Sequence, residues 1–167
     1  MRELYSEDKI QNRITVLANE INEMYGNESL VVIGILNGSF MFVSDLIRYL
    51  QMRVELDFFG AKSYMGCTRC SGISFTKEIA LDIKDKNVLV VEDIIDSGNT
   101  AFTVCDEFKR REPKSLRLCT LLYKPANYTK PFHIDWIGFS IPDEFVVGYG
   151  LDYNGMYRNL SAIYILE

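Results

Sequence analysis

The 167-residue chain contains no apolar run close to the roughly 20 residues that a membrane-spanning helix requires. Residues 1–8 are mostly polar or charged, and they lack the apolar centre of a secretory signal peptide. We therefore predict no membrane association and a cytoplasmic location.

Positive charge is also scarce, because 18 lysine and arginine residues face 23 acidic residues and the formal net charge is -5. This balance disfavours a general nucleic-acid-binding surface, so no nucleic-acid partner is expected. The motifs G-x-x-x-x-G-K-[S/T] and G-x-G-x-x-G are both missing. The sequence therefore supports neither a Walker-type nor a dinucleotide-binding site.

Cysteine and histidine are too few for a disulfide framework or a zinc site. The chain has four cysteines and a single histidine, His133. Cys67 and Cys70 form one C-x-x-C pair without a thioredoxin-like setting, and we expect two free thiols in a reducing cytoplasm. The alternative is that oxidation to a disulfide stiffens this segment. Cys105 and Cys119 lie in helix and strand patterns and are expected in the core.

What the sequence does contain is typical of one globular α/β domain spanning residues 1–167, with 48% hydrophobic and 25% charged residues. Strands and helices alternate in the middle of the chain, which predicts a mainly parallel central sheet flanked by helices. Residues 6–26 form an amphipathic helix pattern with Ser6 as N-cap, and its apolar face is predicted to comprise Ile10, Ile14, Leu17, Ile21 and Met24. Further helices are predicted at 40–50 and 100–111, and strands at 30–36, 54–62, 88–91, 115–123, 135–141 and 161–166.

The most informative stretch covers residues 88–100. Four apolar residues, typical of a buried parallel strand, run directly into Glu92 and Asp93. Asp96 follows in a short turn of small residues that opens a helix, where free backbone N–H groups suit a phosphate. Carboxylates beside a phosphate site make sense if they bind sugar hydroxyls or Mg2+, so the pattern predicts a phosphorylated sugar with a metal. The alternative is a solvated acidic turn at a helix N-terminus.

Two other segments follow predicted strands. Asn37, Gly38 and Ser39 come after the strand at 30–36 and precede a helix, which suits a second anion site or a plain tight connection. Residues 63–72 contain small residues and no periodicity. A connection of this length suits an active-site lid or a surface excursion.

These residues carry a resemblance to a known family. Residues 90–100, Val-Val-Glu-Asp-Ile-Ile-Asp-Ser-Gly-Asn-Thr, resemble the phosphoribosyl pyrophosphate (PRPP) signature of type I phosphoribosyltransferases. Residues 34–42 resemble the pyrophosphate loop of hypoxanthine-guanine phosphoribosyltransferases, and Ser63-Tyr64 resembles the start of that family's lid. Residues 141–153, Ile-Pro-Asp-Glu-Phe-Val-Val-Gly-Tyr-Gly-Leu-Asp-Tyr, resemble its purine-binding segment, and Arg158 follows at the family's spacing.

The resemblance implies a type I phosphoribosyltransferase fold with a small hood formed by terminal segments. It implies the transfer of the 5-phosphoribosyl group from PRPP to hypoxanthine or guanine, which gives a nucleoside monophosphate and pyrophosphate in purine salvage. Mg2+ would be the cofactor, and the partners would be PRPP, a 6-oxopurine, pyrophosphate and the nucleotide product. A homodimer or homotetramer is expected.

The resemblance also assigns roles to residues. Glu92 and Asp93 would hold the ribose hydroxyls and, with Asp152, the metal. Asp96 would be the general base or acid at N7 of the purine. The residues expected to bind the 5′-phosphate are Ser97, Gly98, Asn99 and Thr100, and those expected to bind pyrophosphate are Leu36, Asn37, Gly38 and Arg158. The residues expected to contact the purine are Lys124, Phe145, Val146 and Asp152. The lid would begin with Ser63 and Tyr64.

The chain departs from the family pattern at two positions. Asn37 stands where the family usually has lysine, so one positive charge is missing from the pyrophosphate loop. Asn99 replaces a lysine found in some members. The family often has a cis peptide at the position that corresponds to Leu36-Asn37, and we expect one here.

Two other classes of function remain open at this point. One is a PRPP-dependent RNA-binding regulator, which shares the PRPP motif, and the other is a PRPP-sensing protein without catalysis. The net charge and the purine-binding segment argue against the first, and the presence of Asp96 and Lys124 argues against the second. The preference among hypoxanthine, guanine and xanthine cannot be read from these residues.

Overall fold

The computed structural model describes residues 1–63 and 73–166. Each helix in these ranges is too short or too polar to serve as a transmembrane span. The elements, in chain order, are β1 (Arg2–Tyr5), α1 (Glu7–Tyr25), β2 (Leu30–Leu36), α2 (Phe40–Ile47), β3 (Val54–Ser63), β4 (Ile73–Lys77), β5 (Asn87–Ile95), α3 (Asn99–Lys109), β6 (Ser115–Tyr123), β7 (Trp136–Ser140), β8 (Val146–Val147) and β9 (Ile163–Ile165).

The central sheet has the strand order β4-β3-β2-β5-β6-β7. All neighbouring strands are parallel except β3 and β4, which confirms the predicted mainly parallel sheet. In the register of the two middle strands, Gly34 of β2 lies opposite Val91 of β5. The carboxyl ends of these strands therefore meet at one edge of the sheet, where the ligands of parallel sheets bind.

Both faces of this sheet are buried, and this explains the unbroken apolar runs of β2 and β5. Leu89 and Val91 of β5 belong to the core formed with α1 and α2. Val88 and Val90, which point to the opposite face, belong to the core formed with α3. Cys105 and Cys119 are buried as predicted, and burial raises the pKa of the Cys105 thiol to about 12. Cys67 and Cys70 lie outside the described residues.

A separate antiparallel sheet with the order β1-β9-β8 joins the two ends of the chain, as expected for the hood. The pairing of β1 with β9 is irregular between Glu3 and Tyr5. The ring of Tyr5 stacks on that of Phe139, with centroids 4.0 Å apart, and this contact connects the hood with β7 of the central sheet.

Several local predictions were incomplete. Met24 is 52% exposed, and Tyr25 takes the buried position near Trp136 because a helix face can continue at either the third or the fourth residue. The predicted helix 40–50 ends at Ile47, where the backbone changes to three-residue turn hydrogen bonds. Strands β1, β4 and β8 were not predicted, because they are short and lie at sheet edges or in the hood.

A polar network fixes the segment after β8 to the helical layer. The Tyr149 hydroxyl donates to Asp45 Oδ2 on α2, and Gln11 Nε2 on α1 donates to the same oxygen at 2.6 Å. Arg48 pairs with the other oxygen of Asp45. Burial alone would raise the pKa of the Asp45 carboxyl, but its hydrogen bonds together hold that pKa below its usual value.

We predict that Asp45→Asn lowers the free energy of unfolding by about 1–3 kcal/mol near neutral pH, because hydrogen bonds to a charged group contribute about this much. The Asp45 carboxyl has a lower pKa in the folded than in the unfolded protein. Its contribution to the free energy of unfolding is therefore complete above the unfolded-state pKa of about 3.9, and it disappears as the pH falls through the folded-state pKa. Urea unfolding should therefore show a constant difference between wild type and variant down to about pH 5 and a shrinking difference below about pH 4.

The matched control is Asp106→Asn, which removes an exposed ion pair with Arg110 one helical turn away. Such a pair contributes at most about 0.5 kcal/mol. Equal losses of stability in the two variants would contradict the proposed importance of the Asp45 network.

Candidate active site

A cavity of about 450 Å³ lies at the carboxyl edge of β2 and β5. It brings together residues from four segments that the sequence had singled out separately: the loop after β2, the acidic end of β5, the start of α3 and the loop after β8. Its lining comprises Ile35, Leu36, Asn37, Gly38, Ala61, Lys62, Thr76, Glu92, Asp93, Ile94, Thr100, Asp152 and Arg158.

Two adjacent carboxylates form the floor of this cavity. Glu92 is only 6% exposed, and its Oε2 has no hydrogen-bond partner among the described residues. Burial, followed by the charge of Asp93, raises the pKa of Glu92 well above its usual value. Burial also raises the pKa of Asp93, although the Ile94 N–H donates to its Oδ1 at 2.9 Å. Desolvated carboxylates without full partners are costly, and a ligand that supplies a cation or hydroxyl donors would relieve that cost.

The loop after β2 lies directly against these carboxylates. The peptide bond Leu36-Asn37 is cis, as the resemblance predicted. A Cβ atom added to Gly38 would overlap the Asp93 carboxylate, and one added to Gly150 would overlap the Gly38 carbonyl oxygen. Glycine is therefore required at both positions for the backbone of this loop to fit between the acidic strand end and the segment after β8.

The turn between β5 and α3 has the form expected of a phosphate site. Gly98 adopts φ = +84°, in the left-handed region, and directly precedes the first residue of α3. The side-chain oxygen of Ser97 accepts a hydrogen bond from the Asn99 N–H at 3.4 Å. Thr100 lines the cavity, so the open N-terminus of α3 lies at its wall, where backbone N–H groups are suited to an anion.

Arg158 and Asp152, which line the same cavity as the acidic strand end, are bound to each other. Arg158 Nη2 lies 2.8 Å from Asp152 Oδ1, and Nη1 donates to the Gly150 carbonyl oxygen at 2.6 Å. The backbone N–H of Gly150 donates to the Arg158 carbonyl oxygen at 3.0 Å. These contacts fold the segment between them into a closed loop that holds the guanidinium at the cavity wall.

The donors fit a hard cation that is shared with a substrate. Within residues 1–63 and 73–166, no three aspartate, glutamate, histidine or cysteine side chains converge as a metal site. Mg2+ does not need such a cage, because it usually takes one or two carboxylates together with substrate oxygens and water. Suitable ligands of this kind in the cavity lining are Asp93, Asp152 and the Glu92 oxygen that has no partner among the described residues.

Asp96 and Lys124 form a second group just beyond the cavity, at the ends of β5 and β6. The Lys124 side chain is only 9% exposed, and its Nζ lies 3.3 Å from Asp96 Oδ2 and 3.1 Å from Asp143 Oδ1. Asn127 Nδ2 donates to Asp96 Oδ1 at 2.7 Å and to Asp143 Oδ1 at 2.9 Å. The structure thus unites the two predicted residues and adds Asn127 and Asp143.

The remaining predicted residues lie in or beside the hood. Phe145 is 52% exposed, and its ring meets that of Tyr153 edge to face at 5.8 Å, so a ring face remains available for stacking. Val146 is buried in β8, where it pairs with Ile165. Ser63 is the last residue of β3, and Tyr64 lies outside the described residues.

Comparison with known proteins assigns the chain to a family. Residues 2–154 match the family model described as the phosphoribosyl transferase domain. Hypoxanthine phosphoribosyltransferase of Haemophilus influenzae is 46% identical over 164 residues, which cover 96% of this chain and 92% of the relative. The Escherichia coli enzyme of the same name is 48% identical over 160 residues, with coverage of 94% and 90%. The chain belongs to the hypoxanthine-guanine phosphoribosyltransferase family.

A solved structure supports the same assignment. A hypoxanthine-guanine phosphoribosyltransferase from Bacillus anthracis, with a HEPES molecule in its active site, superimposes with a TM-score of 0.96. The two sequences are 43% identical, and the match covers 100% of this chain and 99% of that one. The fold predicted from the resemblance is therefore confirmed as that of a type I phosphoribosyltransferase.

Within this phosphoribosyltransferase, sequence reasoning overlooked four polar residues at the site. Lys62 and Thr76 line the cavity from β3 and β4, and Asn127 and Asp143 contact Asp96 or Lys124. Asp143 could have been found, because it lies inside the segment at 141–153. The signal for Asn127 was weaker, since only its distance of three residues from Lys124 hinted at a shared turn.

We predict that Gly38→Ala reduces the transferase activity at least tenfold, because the new methyl group would displace the Asp93 carboxylate or the loop itself. Steady-state kinetics at saturating base would measure this. The control is Gly26→Ala at the end of α1, where no atom lies within 4 Å of an added Cβ. Similar activity in both variants would show that the close approach of Gly38 to Asp93 is not required.

Proposed function

We propose that this protein transfers the 5-phosphoribosyl group of PRPP to hypoxanthine or guanine and releases pyrophosphate. The observation that carries the proposal is the single cavity that joins the acidic end of β5, the open start of α3 and the loop after β2, with Asp96 and Lys124 at its edge. Family membership supports the same reaction, because the relatives described above carry the name of this activity.

PRPP would lie along the carboxyl edge of the sheet. Its 5′-phosphate would accept hydrogen bonds from the backbone N–H groups of the turn and from the hydroxyls of Ser97 and Thr100, with Gly98 and Asn99 completing the cradle. The ribose hydroxyls would donate to Asp93 and to Glu92, whose Oε2 has no hydrogen-bond partner among the described residues. The two carboxylates and the turn that binds the 5′-phosphate would thus contact different ends of one substrate.

The pyrophosphate group would lie between the loop after β2 and Arg158, in contact with Leu36, Asn37 and Gly38. Glu92, Asp93 and Asp152 would hold Mg2+ together with substrate oxygens. When bound, Mg2+ would neutralise charge that develops on the leaving pyrophosphate. Arg158 would donate to the same group, because its fork of N–H groups suits phosphate oxygens.

The purine would lie against the hood and the ends of β5 and β6. Phe145 would stack on the base, Lys124 would donate to its 6-oxo oxygen, and the backbone near Val146 and Asp152 would contact its edge. Asp96 would accept or return the proton at N7 as the bond to the anomeric carbon forms. The ribose would pass through a state resembling an oxocarbenium ion, and a lid that begins at Ser63 and Tyr64 would exclude water.

Other parts of the proposal follow the family resemblance. We expect one domain over residues 1–167, a cytoplasmic location, and a homodimer or homotetramer. The catalytic relatives described above lend no support to the RNA-binding alternative. Light scattering would determine the oligomeric state, and a filter-binding assay would detect RNA binding.

The activity test mixes the purified protein with PRPP, Mg2+ and one base at a time. We expect release of pyrophosphate and formation of nucleotide with at least one of hypoxanthine and guanine, and loss of both on chelation of the metal, because the substrate charges would no longer be neutralised. Adenine serves as the control base. Absence of product with every 6-oxopurine would refute the proposed function.

We predict that Asp96→Asn lowers kcat by about 100-fold or more, because general acid–base catalysis contributes about 10²–10⁴-fold. The KM for PRPP should change less than about threefold, since the amide keeps the shape of the side chain. Asp106→Asn, on the outer surface of α3, is the control. Unchanged turnover in Asp96→Asn would remove Asp96 from the proton-transfer role.

A further inference from the structure

The turn after β6 places an amide beside the Lys124 ammonium. The backbone N–H of Asn127 donates to the Lys124 carbonyl oxygen at 3.2 Å, so the chain folds back within three residues. Both side chains therefore reach the same two carboxylates, those of Asp96 and Asp143. The four groups form a ring in which two donors alternate with two acceptors.

The two hydrogen bonds to Asp96 differ in length, and the proposed reaction would affect only one of them. Asn127 Nδ2 lies 2.7 Å from Asp96 Oδ1, whereas Lys124 Nζ lies 3.3 Å from Oδ2. No other donor to the Asp96 carboxylate is present among the described residues. In the proposed reaction the ammonium also donates to the 6-oxo oxygen of the base, which would weaken its hold on Asp96. Asn127 has no second task in that reaction.

We infer that Asn127, anchored by Asp143, is a positioning residue that keeps the Asp96 carboxylate oriented toward N7 of the bound purine. This inference rests on the proposed function. The Asp96 side chain is 51% exposed, so without the amide its carboxylate would be free to rotate toward solvent. Asp143 is a suitable anchor, because its Oδ1 accepts hydrogen bonds from both Lys124 Nζ at 3.1 Å and Asn127 Nδ2 at 2.9 Å.

The test compares Asn127→Ala and Asn127→Asp with wild type. We expect Asn127→Ala to lower kcat about tenfold while the KM for PRPP stays within about twofold, because no side chain of the ring is hydrogen-bonded to residues 97–100 within the described part of the chain. Asn127→Asp keeps the shape but places a third carboxylate beside two others, so its loss should be larger. Asn22→Ala is the control, since it removes the exposed side-chain hydrogen bonds of another asparagine, which donates to the Tyr49 carbonyl oxygen and accepts from the Gln51 N–H.

A double-mutant cycle separates positioning from a structural role. If Asn127 acts through Asp96, Asn127→Ala should have no further effect on kcat in the Asp96→Asn background. The inference would be overturned if the loss of kcat in the double variant equalled the product of the two single losses, or if Asn127→Ala kept the wild-type kcat. An inactive wild type would instead refute the proposed function, so the two failures can be distinguished.

A separate observation concerns the charge of the pyrophosphate end of the cavity. Lys62 and Arg158 are the cations that line it among the described residues. Arg158 is already paired with Asp152, whereas Lys62 has no ion pair within residues 1–63 and 73–166. In the register of the sheet, Leu36 lies opposite Gly60, so Lys62 stands two residues beyond the end of β2, beside the loop that begins with Asn37.

We propose that Lys62 supplies to the pyrophosphate group the positive charge that Asn37 lacks. The proposal again rests on the proposed function. Three carboxylates line the same cavity, and a highly charged anion would need more positive charge there than one paired arginine and a metal provide. A lysine on β3 would provide it from the strand next to the loop, and the loop backbone would keep its own contacts with the anion.

The test is a charge exchange between two positions. Lys62→Gln should raise the KM for PRPP and weaken inhibition by pyrophosphate, each about fivefold or more, and Asn37→Lys in the Lys62→Gln background should restore most of both. Lys84→Gln, which breaks an exposed pair with Glu112, is the control. This assignment would be refuted if Lys62→Gln left the KM for PRPP and the inhibition by pyrophosphate unchanged, or if the double variant restored neither of them.

Discussion

The arrangement of the site follows from two carboxylates placed at the end of a buried strand. Val88–Val91 is apolar on both faces, so β5 must lie inside the sheet, and the next two residues are carried to its carboxyl edge already desolvated. Glu92 retains an oxygen without a donor among the described residues. A ligand that brings hydroxyl donors, or a metal ion, would satisfy these oxygens on binding and offset the cost of their burial.

Close packing around this pair leaves little freedom in the neighbouring loops. Gly38 touches Asp93, and Gly150 touches Gly38, so three segments that are distant in the sequence meet through two positions that tolerate no side chain. Arg158 then secures the outermost segment through its bonds to Gly150 and Asp152. The shape of the cavity therefore depends on these close backbone approaches as well as on the side chains that line it.

The sequence predicted those parts of the structure that depend on local pattern. The apolar run of β5 and the helix bounded by Ser6 and Gly26 were correct because burial periodicity and capping are encoded nearby. The edge strand β1 was missed because its partner β9 lies at the other end of the chain, and β4 was missed because it is a short strand at the edge of the central sheet. The choice of Tyr25 over Met24 depends on Trp136, which no helical pattern reveals.

The same distinction applies to the site. Motif resemblance named Leu36, Asn37, Gly38, Glu92, Asp93, Thr100, Asp152 and Arg158 of the cavity lining, because each belongs to a family motif or follows one at the family's spacing. Asn127 and Lys62 lie outside those stretches and become visible only when the ends of β6 and β3 are placed beside the motifs. The roles proposed for them rest on distances in the folded chain and, for Lys62, on a charge that has no ion pair within residues 1–63 and 73–166.

The network around Asp45 attaches the segment after β8 to helix α2. Tyr149 follows the segment proposed to contact the base, yet its hydroxyl is held by α2, with Gln11 of α1 on the same carboxylate oxygen. The placement of that segment is consequently tied to the packing of two helices that do not line the cavity. A substitution of Gln11 in α1 would therefore reach the segment proposed to contact the base through Asp45 and Tyr149, without any change in a residue proposed to meet the base.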